Sequence, residues 1–331
     1  MSTSLARAWK PWFVYRPGQL IRRLAPAPPA TGFVPMRTAW GATLLVHPGR
    51  DIGRSLHTTG VFDLAVSEVV ARLLPAGGTM VDAGANVGYV SVLAASVAGP
   101  RGRVLAFEPH PELVDVLRQN AAVADAEGHC ATIDVRASAL GDRAGLATLL
   151  LPDDFAANDG LARIVDEHDA RIVDGHEVHA PGAPVTALAT GGAVSRHIPV
   201  AQTTLDDVLG EAAVDLLKID VEGFEAQVLA GARRALAERR IRHIVFEEHD
   251  PQSSLAITTL RAAGYQLFAL GWSLRHLRLE PFTGRPASHG YEAPNYLATL
   301  DADAALTACA PAGWKVLREL AGTRHSGFLS V

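Results

Sequence analysis

The sequence predicts an α/β fold, in which a doubly wound, mostly parallel β-sheet carries helices on both faces. A run of β-forming residues at Thr79–Ala83 precedes a glycine-containing loop, and apolar residues then recur at helical spacing over 87–97. A second apolar run follows at Arg103–Phe107. Strand, loop, helix and strand in this order form a βαβ unit, whose strands lie parallel with a right-handed connection.

The loop and the end of the second strand predict a nucleoside site. The loop contains Gly84, Asn86 and Gly88, and glycine adopts backbone angles that other residues avoid. Glu108 directly follows the second strand. Because parallel strands end at the same edge of a sheet, the loop and Glu108 should flank one crevice. A carboxylate there can accept hydrogen bonds from two ribose hydroxyls.

The spacing of the loop residues selects among nucleoside cofactors. A dinucleotide fingerprint needs glycine at its first, third and sixth positions, which here hold Gly84, Asn86 and Tyr89. This disfavours a nicotinamide dehydrogenase, and no lysine follows to form a phosphate loop. The remaining pattern, D-x-G-x-N-x-G beginning at Asp82, resembles the first motif of S-adenosylmethionine-dependent methyltransferases. Carboxylates suit a cofactor with an ammonium and a sulfonium but no phosphate.

The composition limits which binding partners and which cellular compartment are expected. The chain has 331 residues, of which 48% are hydrophobic and 20% charged, so one main domain with an appendage is expected. A net charge of −5 argues against a nucleic-acid partner. Cys130 and Cys309 lie far apart and outside any cysteine or histidine cluster, which predicts neither a disulfide framework nor a zinc site. A reducing cytoplasm is therefore the expected location.

The first 54 residues are basic, with eight arginines and lysines against a single acid, Asp51. Residues 9–24 mix aromatic and basic side chains, a composition that permits weak association with a membrane surface. Pro11, Pro17 and Gly18 argue against one long amphipathic helix, so we favour an arm packed on the main domain. No apolar run is long enough to cross a bilayer.

We divide the chain into three parts: an N-terminal arm and cap at 1–60, a cofactor-binding domain at 61–300, and a C-terminal tail at 301–331. Within the domain, residues 152–195 form a polar, glycine-rich insertion without assignable elements, which we interpret as a loop covering the substrate. His168, His176 and His179 in this insertion lack the spacing of metal ligands.

Further elements are predicted from apolar periodicity, caps and turns. Strands are expected at 38–47 (as a strand or hairpin), 130–135, 146–151, 198–203, 214–220, 241–247, 265–270 and 295–300, and helices at 63–74, 111–126, 204–209, 224–240 and 253–263. The turn at 138–142 lies where an adenine would bind; its backbone either contacts the base or forms a plain turn.

Acidic residues follow two of the later strands. If extended geometry persists through Val221, Lys218, Asp220 and Glu222 share one face at the carboxyl end of their strand. Carboxylates beside a sulfonium can position the cofactor, orient a nucleophile or act as a general base. Asp220 is the first candidate for the base, with Glu222 and the group around Glu247 as second candidates.

Two further roles stay open at this edge. Lys218 fits an ion-paired residue at a strand end as well as a catalytic one. His249, two residues beyond Glu247, joins the second group of catalytic candidates. The same acids could gather around Mg²⁺, which prefers carboxylates and water, but nothing fixes a ligand count. We therefore assign no metal ligand and do not favour Mg²⁺.

Several spaced motifs resemble those of the FkbM family of methyltransferases: VDAGANVGYVSVLAA, AFEPHPELVDVLRQN, SALGD, TTLDDVL and LLKIDVEGFEAQVLAGA. The resemblance covers about residues 60–270, and KIDVEGFE is its most specific part. It implies a class I methyltransferase fold with a Rossmann-like, seven-stranded sheet, S-adenosylmethionine as donor, and usually O-methylation of a sugar or polyketide-type hydroxyl.

The resemblance and the loop analysis together give the expected cofactor-binding residues. These are Asp82, Gly84, Ala85, Asn86, Gly88, Glu108, Pro109, Ser138, Ala139, Leu140 and Asp220. The expected function is O-methylation of a small molecule or glycan, with the oligomeric state, including a homo-oligomer, left open. The alternative is a non-catalytic module that keeps the nucleoside fold and docks a partner through its N-terminal arm.

Overall fold

The computed structural model describes residues 10–16, 18, 32–151, 162–165, 188–190, 193–284 and 294–320. Its helices are α1 (Pro11–Tyr15), α2 (Asp51–Thr58), α3 (Leu64–Leu73), α4 (Tyr89–Ala98), α5 (Pro111–Ala126), α6 (Leu205–Leu209), α7 (Glu225–Ala230), α8 (Arg233–Ala237), α9 (Leu255–Ala262) and α10 (Ala302–Cys309). Its strands are β1 (Val34–Arg37), β2 (Thr43–Val46), β3 (Thr79–Ala83), β4 (Arg103–Phe107), β5 (Thr132–Arg136), β6 (Ala139–Leu140), β7 (Gly145–Leu151), β8 (Arg163–Val165), β9 (Leu188–Thr190), β10 (Ala193–Thr203), β11 (Val214–Ile219), β12 (Ile241–Glu247), β13 (Gln266–Trp272), β14 (Leu277–Pro281) and β15 (Asn295–Thr299).

The main sheet has the strand order β14-β13-β15-β12-β11-β3-β4-β5. The strands from β12 to β5 are parallel, β15 runs antiparallel to β12, and β13 runs antiparallel to β15. The predicted doubly wound, mostly parallel sheet is confirmed. The strand number is corrected from seven to eight in the described residues, because β14 forms an antiparallel hairpin with β13 and extends that edge.

Helices cover both faces of this sheet, as predicted, because successive strand residues point to opposite sides. In β3, Met80 belongs to the core under α3, α4 and α5, whereas Val81 belongs to the core under α6 to α9. In β11, Leu216 and Leu217 divide in the same way. Parallel strands that are buried on both faces appear in the sequence as continuous apolar runs, which is why these strands could be predicted.

The strand order reverses between β3 and β11. The chain moves outward from β3 through β4 to β5, then crosses back to add β11 and β12 on the other side of β3. Ligands of open α/β sheets bind outside the carboxyl ends of the strands at such a switch point. The register places Lys218 of β11 beside Asp82 of β3, so the predicted acidic and basic residues meet there.

A second sheet lies between β5 and β11 in the sequence, with the order β6-β10-β7-β8 and β9 paired to β10. The strands predicted at 146–151 and 198–203 are confirmed and belong to it. Most of the predicted insertion at 152–195, including its three histidines, lies outside the described residues. Within the insertion, residues 163–165, 188–190 and 193–195 are strands of this sheet, and a role in covering the substrate stays a prediction.

The predicted hairpin at 38–47 is present, although its strands are β1 and β2 and residues 38–42 form its turn. Asn120 of α5 attaches it to the sheet domain. The Asn120 amide accepts a hydrogen bond from the Leu45 N–H at 2.7 Å and donates to the Leu45 carbonyl at 3.0 Å. It also donates to the Val87 carbonyl in the β3–α4 loop at 2.7 Å. The hairpin is thus linked to the loop through one side chain.

The helix predicted at 224–240 is divided into α7 and α8. The break falls at Gly231, where a Cβ atom would lie 1.9 Å from the Gly141 carbonyl oxygen. The Gly231 carbonyl accepts a hydrogen bond from Asp206 N–H instead of continuing a helix. Tertiary contact with the second sheet and α6 therefore overrides the helical periodicity.

The segment predicted as a tail at 301–331 packs into the core over its described residues, which end at 320. Trp314 and Val316 are buried. Glu68 of α3, fully buried, accepts hydrogen bonds from the backbone N–H groups of Lys315 and Val316 at 3.0 and 3.1 Å. Arg72, one turn on, pairs with Glu68 at 2.6 Å. Described residues of the α1 arm also pack on the domain, with Trp12 against Trp272.

We predict that Glu68→Gln destabilises the fold by about 3–5 kcal/mol, because it leaves the buried Arg72 guanidinium without its counter-charge. Urea unfolding followed by circular dichroism measures the change. Glu319→Gln, which breaks the exposed ion pair with Arg37, is the control and should change stability by less than about 1 kcal/mol. Equal effects of the two variants would show that Glu68 does not hold the C-terminal segment.

Candidate active site

A cleft of about 270 Å³ opens at the carboxyl edge of the main sheet, where β3 and β11 end. It is lined by the β3–α4 loop, the end of β4, the ends of β11 and β12, and segments outside the main sheet. The lining residues are Asp51, Ile52, Phe62, Gly84, Ala85, Asn86, Tyr89, Val90, Phe107, Glu108, Pro109, Leu113, Ala139, Leu140, Leu149, Ala162, Ile164, Lys218, Asp220, Val221, Glu222 and Glu247.

The β3–α4 loop closes tightly because glycine occupies its first position. Gly84 has a φ of +76°, and a Cβ atom there would lie 1.8 Å from the Asp220 carbonyl oxygen. The backbone N–H groups of Gly84 and Ala85 both donate to the Phe107 carbonyl, at 3.0 and 2.9 Å. The loop therefore lies against both neighbouring strands, an approach that a side chain at position 84 would prevent.

Glu108 is buried and its carboxylate is held by backbone groups. One oxygen accepts a hydrogen bond from the Asn86 N–H at 2.9 Å, and the other accepts from the His110 N–H at 2.8 Å. A carboxylate oxygen can accept more than one hydrogen bond, and Glu108 lines the cleft. The arrangement presents a fixed, negatively charged acceptor to a ligand hydroxyl.

Lys218 lies beneath the loop and joins three parts of the site. Its Nζ donates to the Gly84 carbonyl at 2.9 Å and lies 3.2 Å from Asp82 Oδ1 and 3.3 Å from Asp220 Oδ2. Burial alone would lower the pKa of Lys218, but the carboxylates of Asp220 and Asp82 outweigh it and raise that pKa above its ordinary value. The amine therefore stays protonated and acts as a fixed cation.

Three carboxylates face the cleft beside this cation. Asp220 is about one-third exposed and pairs with Lys218. Burial, followed by the charges of Asp220 and Glu225, raises the pKa of Glu222 to about 7. Burial also raises the pKa of Glu247 to about 8, with the charges of Asp220 and Glu222 adding to the effect. Two of the three acids thus change protonation state near neutral pH.

Extended geometry through Val221, the condition for a shared strand face of Lys218, Asp220 and Glu222, is not met. The strand ends at Ile219, and Glu222 adopts a left-handed φ of +52°, which is uncommon for a residue other than glycine. Glu222 nevertheless lines the cleft together with Lys218 and Asp220, through a turn instead of a shared strand face. A strained backbone of this kind is typical of functional sites.

Most predicted site residues line the cleft, and four do not. Asp82 lies below it, fully buried, and accepts a hydrogen bond from Ser91 at 2.6 Å. Gly88 packs on α5, and Ser138 donates its N–H to Arg136. The His249 side chain is 71% exposed, its Nε2 lies 2.6 Å from Glu247 Oε1, and it does not line the cleft.

The cleft-lining residues that lie outside the βαβ unit were not predicted from the sequence. Ile52 and Phe62 precede the domain's first strand, and Leu149 and Ile164 belong to the second sheet. Their apolar side chains carry no signal that separates them from core residues. Asp51 also lines the cleft, and here a signal existed, because it is the single acid in a basic segment.

Comparison with known proteins agrees with this geometry. A family model described as the methyltransferase FkbM domain matches residues 82–267. The chain is 34% identical over 189 residues to the methyltransferase sdnD of Sordaria araneosa, covering 54% of this chain and 69% of the relative. It is 33% identical over 204 residues to the 31-O-demethyl-FK506 methyltransferase FkbM of Streptomyces tacrolimicus, covering 58% of this chain and 74% of the relative.

Solved structures are more distant. A methyltransferase FkbM from Methylobacillus flagellatus KT is 15% identical with a TM-score of 0.39, over 74% of this chain and about half, 52%, of that one. An S-adenosylmethionine-dependent O-methyltransferase from Thermotoga maritima is 14% identical with a TM-score of 0.40, over 80% of this chain and 77% of that one. Likenesses this remote carry no argument about the site.

We predict that Lys218→Met destabilises the fold by about 3–5 kcal/mol, because Asp82 would remain buried without a cation. The double variant Lys218→Met, Asp82→Asn should recover part of that loss, since it removes both charges. Urea unfolding of the two single variants and the double variant measures the coupling. Additive effects would show that the two charges do not depend on each other.

Proposed function

Because the chain belongs to the FkbM methyltransferase family, whose chemistry is S-adenosylmethionine-dependent methyl transfer, we propose that it methylates a hydroxyl oxygen of an uncharged small molecule or glycan. The observation that carries the proposal is the cluster of Asp220, Glu222 and Glu247 in the same cleft as Glu108. These three carboxylates offer proton acceptors beside the β3–α4 loop. The Streptomyces relative, named for 31-O-demethyl-FK506, supports oxygen as the acceptor atom.

The cleft residues fit S-adenosylmethionine. The β3–α4 loop lines the cleft through Gly84, Ala85 and Asn86, and Glu108 offers oriented acceptors suited to ribose hydroxyls. Ala139 and Leu140 line the cleft where an adenine would be contacted. When bound, S-adenosylmethionine supplies a methyl group activated by its sulfonium. The described lining residues offer no free cation for a phosphate, which suits a phosphate-free cofactor.

Glu222 is the best-supported proton acceptor of the three acids. Asp220 forms an ion pair with Lys218, whose Nζ lies 3.3 Å from Asp220 Oδ2, and this contact suits a positioning group. Glu222 carries a pKa of about 7, raised first by burial, and a proton acceptor works best near the operating pH. In its ionised form Glu222 would accept the hydroxyl proton of the acceptor, while the acceptor oxygen takes the methyl group and the bond from that methyl to the sulfonium sulfur breaks.

The charge of the cleft bears on the class of acceptor. Five acids line it: Asp51, Glu108, Asp220, Glu222 and Glu247. Lys218 is the cation among the described lining residues, and its ammonium is already engaged. A phosphate or carboxylate on the acceptor would therefore meet net repulsion.

The remaining walls favour an acceptor with apolar surface. Ile52 and Phe62 line the cleft beside the N-terminal cap, while Leu149 and Ile164 line it from the second sheet. Apolar walls with a few convergent polar groups are typical of small-molecule sites. An uncharged molecule that combines hydroxyls with apolar surface fits this lining. Mg²⁺ is not required by the proposal, and cytoplasmic location remains our expectation, with Cys130 and Cys309 both free thiols.

The competing proposal is a module that binds nucleoside without transferring methyl groups and docks a partner through its N-terminal arm. Its strongest support is the basic composition of residues 1–54. Buried acids with raised pKa values speak against it, because a docking module gains nothing from them. Among the described residues no helix is long and apolar enough to cross a membrane.

We predict that Glu108→Gln weakens binding of S-adenosylhomocysteine roughly tenfold or more, because it removes charge-assisted hydrogen bonds to the ribose. Isothermal titration calorimetry measures the affinity. Asp115→Asn, an exposed change on the following helix, serves as the control and should bind normally. Normal binding by Glu108→Gln would remove Glu108 from the ribose site while leaving the acceptor proposal intact.

We predict that turnover rises with pH through about 7, because Glu222 accepts a proton only when ionised and its pKa lies there.

Glu222→Gln should lower kcat on the order of 10²-fold or more and abolish the rise of turnover with pH, with cofactor affinity unchanged. A labelled-methyl assay on a fractionated host extract supplies the acceptor. Glu211→Gln, on an exposed loop, is the control. Full turnover by Glu222→Gln would refute its role, and absence of any labelled product would favour the binding module.

A further inference from the structure

A second group of donor side chains lies in the loop after α5, away from the cleft. Glu127, His129 and Cys130 each bring one donor atom, and these atoms lie within 4.8 Å of one another. Gly128, with a φ of +70°, reverses the chain between them. The loop leads into the start of β5, so it lies at the amino edge of the sheet, opposite the catalytic edge. In the part of the chain that the structure describes, no other group of three such donors converges this closely.

The ring of His129 is oriented by its neighbour's backbone. Its Nδ1 lies 3.1 Å from the Glu127 carbonyl oxygen, which can only accept, so Nδ1 carries the proton. In the neutral ring, Nε2 then presents a lone pair. A bond from one ring nitrogen to a backbone carbonyl is the usual support for a histidine that binds metal through the other nitrogen.

Two acceptor atoms face each other at this point. His129 Nε2 lies 3.3 Å from Glu127 Oε2, both atoms are shielded from solvent, and neither has a hydrogen-bond partner among the described residues. Two lone pairs at this distance repel unless a proton or a cation lies between them. The arrangement therefore leaves two states, an imidazolium paired with a carboxylate, or a shared metal ion.

Cys130 favours the metal. Its thiol is buried beside this pair, and Sγ lies 3.6 Å from the hydroxyl of Ser96 on α4. The Ser96 hydroxyl donates its own proton to the Val92 carbonyl at 2.8 Å, so it can only accept from the thiol. A simple ion pair between His129 and Glu127 gives no role to a third donor atom of high metal affinity.

Although the sequence alone predicts no zinc site at Cys130, we propose that Glu127, His129 and Cys130 bind one Zn²⁺-class ion, with water completing a four-coordinate site. Thiolate, imidazole and carboxylate are the ligands that zinc takes, whereas Mg²⁺ takes oxygen ligands. Binding replaces the thiol proton, which is released to solvent. Donor atoms around zinc lie about 2.0–2.3 Å from the ion, so the present spacing needs only a small contraction of the side chains.

The expected role is structural. An ion here would tie the end of α5 to the start of β5 and, through Cys130 and Ser96, to α4. Helices α4 and α5 carry the residues on which the cofactor loop packs, such as Leu117 beneath Gly88. The site lies at the opposite edge of the sheet from the cleft, and so it takes no part in methyl transfer.

The test is a titration of the full chain, purified with chelator and without a metal-binding tag, with Co²⁺ and then Zn²⁺. We expect one ion per chain, a thiolate-to-cobalt charge-transfer absorption, displacement of cobalt by zinc, and a higher unfolding midpoint with zinc. Cys130→Ser should abolish the absorption and lower affinity at least about tenfold. Cys309→Ser, at the other buried cysteine, is the matched control and should behave as the unchanged chain.

Glu127→Gln provides a second variant, because its side chain is partly exposed and the change preserves shape. It should retain the thiolate absorption at saturation and lower affinity roughly tenfold. The proposal is overturned if no thiolate absorption develops, if it persists in Cys130→Ser, or if Glu127→Gln binds as tightly as the unchanged chain. The imidazolium–carboxylate pair would then be the state of this loop.

Discussion

The ammonium of Lys218 is the interaction on which the active-site geometry depends. It bonds to the Gly84 carbonyl of the cofactor loop and lies between the carboxylates of Asp82 and Asp220. Each of these partners comes from the end of β3 or β11, so one charge holds the two central strands and the loop together. Asp82 is in turn fixed by Ser91 of α4, which extends the network into the first helix. The Asp82 side chain, predicted to contact the cofactor, instead supports the loop that lines the cleft.

The acids at the mouth of the cleft follow from the position of that cation. Asp220 pairs with Lys218, whereas Glu222 and Glu247 are partly buried beside the Asp220 carboxylate and form no ion pair with that lysine, the basic partner of Glu247 being the exposed His249. Desolvation and mutual repulsion both favour their protonated forms. The fold tolerates this because the neutral state remains available, and the same feature places two carboxyl groups that ionise near neutral pH in the cleft. The raised pKa values of Glu222 and Glu247 lower the stability of the folded state, and they also place the ionisation of both groups near neutral pH.

The sequence was most informative where local pattern and tertiary burial agree. The βαβ unit, its glycines and Glu108 could be located because parallel strands are apolar on both faces and the loop needs glycine at position 84. Prediction failed where distant contacts decide. Gly231 ends a helix because Gly141 lies against it, and Glu222 turns out of extended geometry at a position with no glycine. The contact of Glu68 with the C-terminal segment could not be predicted, since the backbone N–H groups of Lys315 and Val316 lie more than 240 positions away, whereas its pairing with Arg72 is local.

The cleft is completed by segments that the family model only partly covers. The match spans residues 82–267, whereas Asp51, Ile52 and Phe62 precede it. Asn120 connects the preceding hairpin to the Val87 carbonyl of the cofactor loop, so the cap and the cofactor-facing backbone share one support. A change in the cap can therefore alter the acceptor wall without altering the residues of the family motifs. Under the proposed function the motifs would account for the donor chemistry, and the choice of acceptor would depend on the cleft-lining segments that lie before and between them.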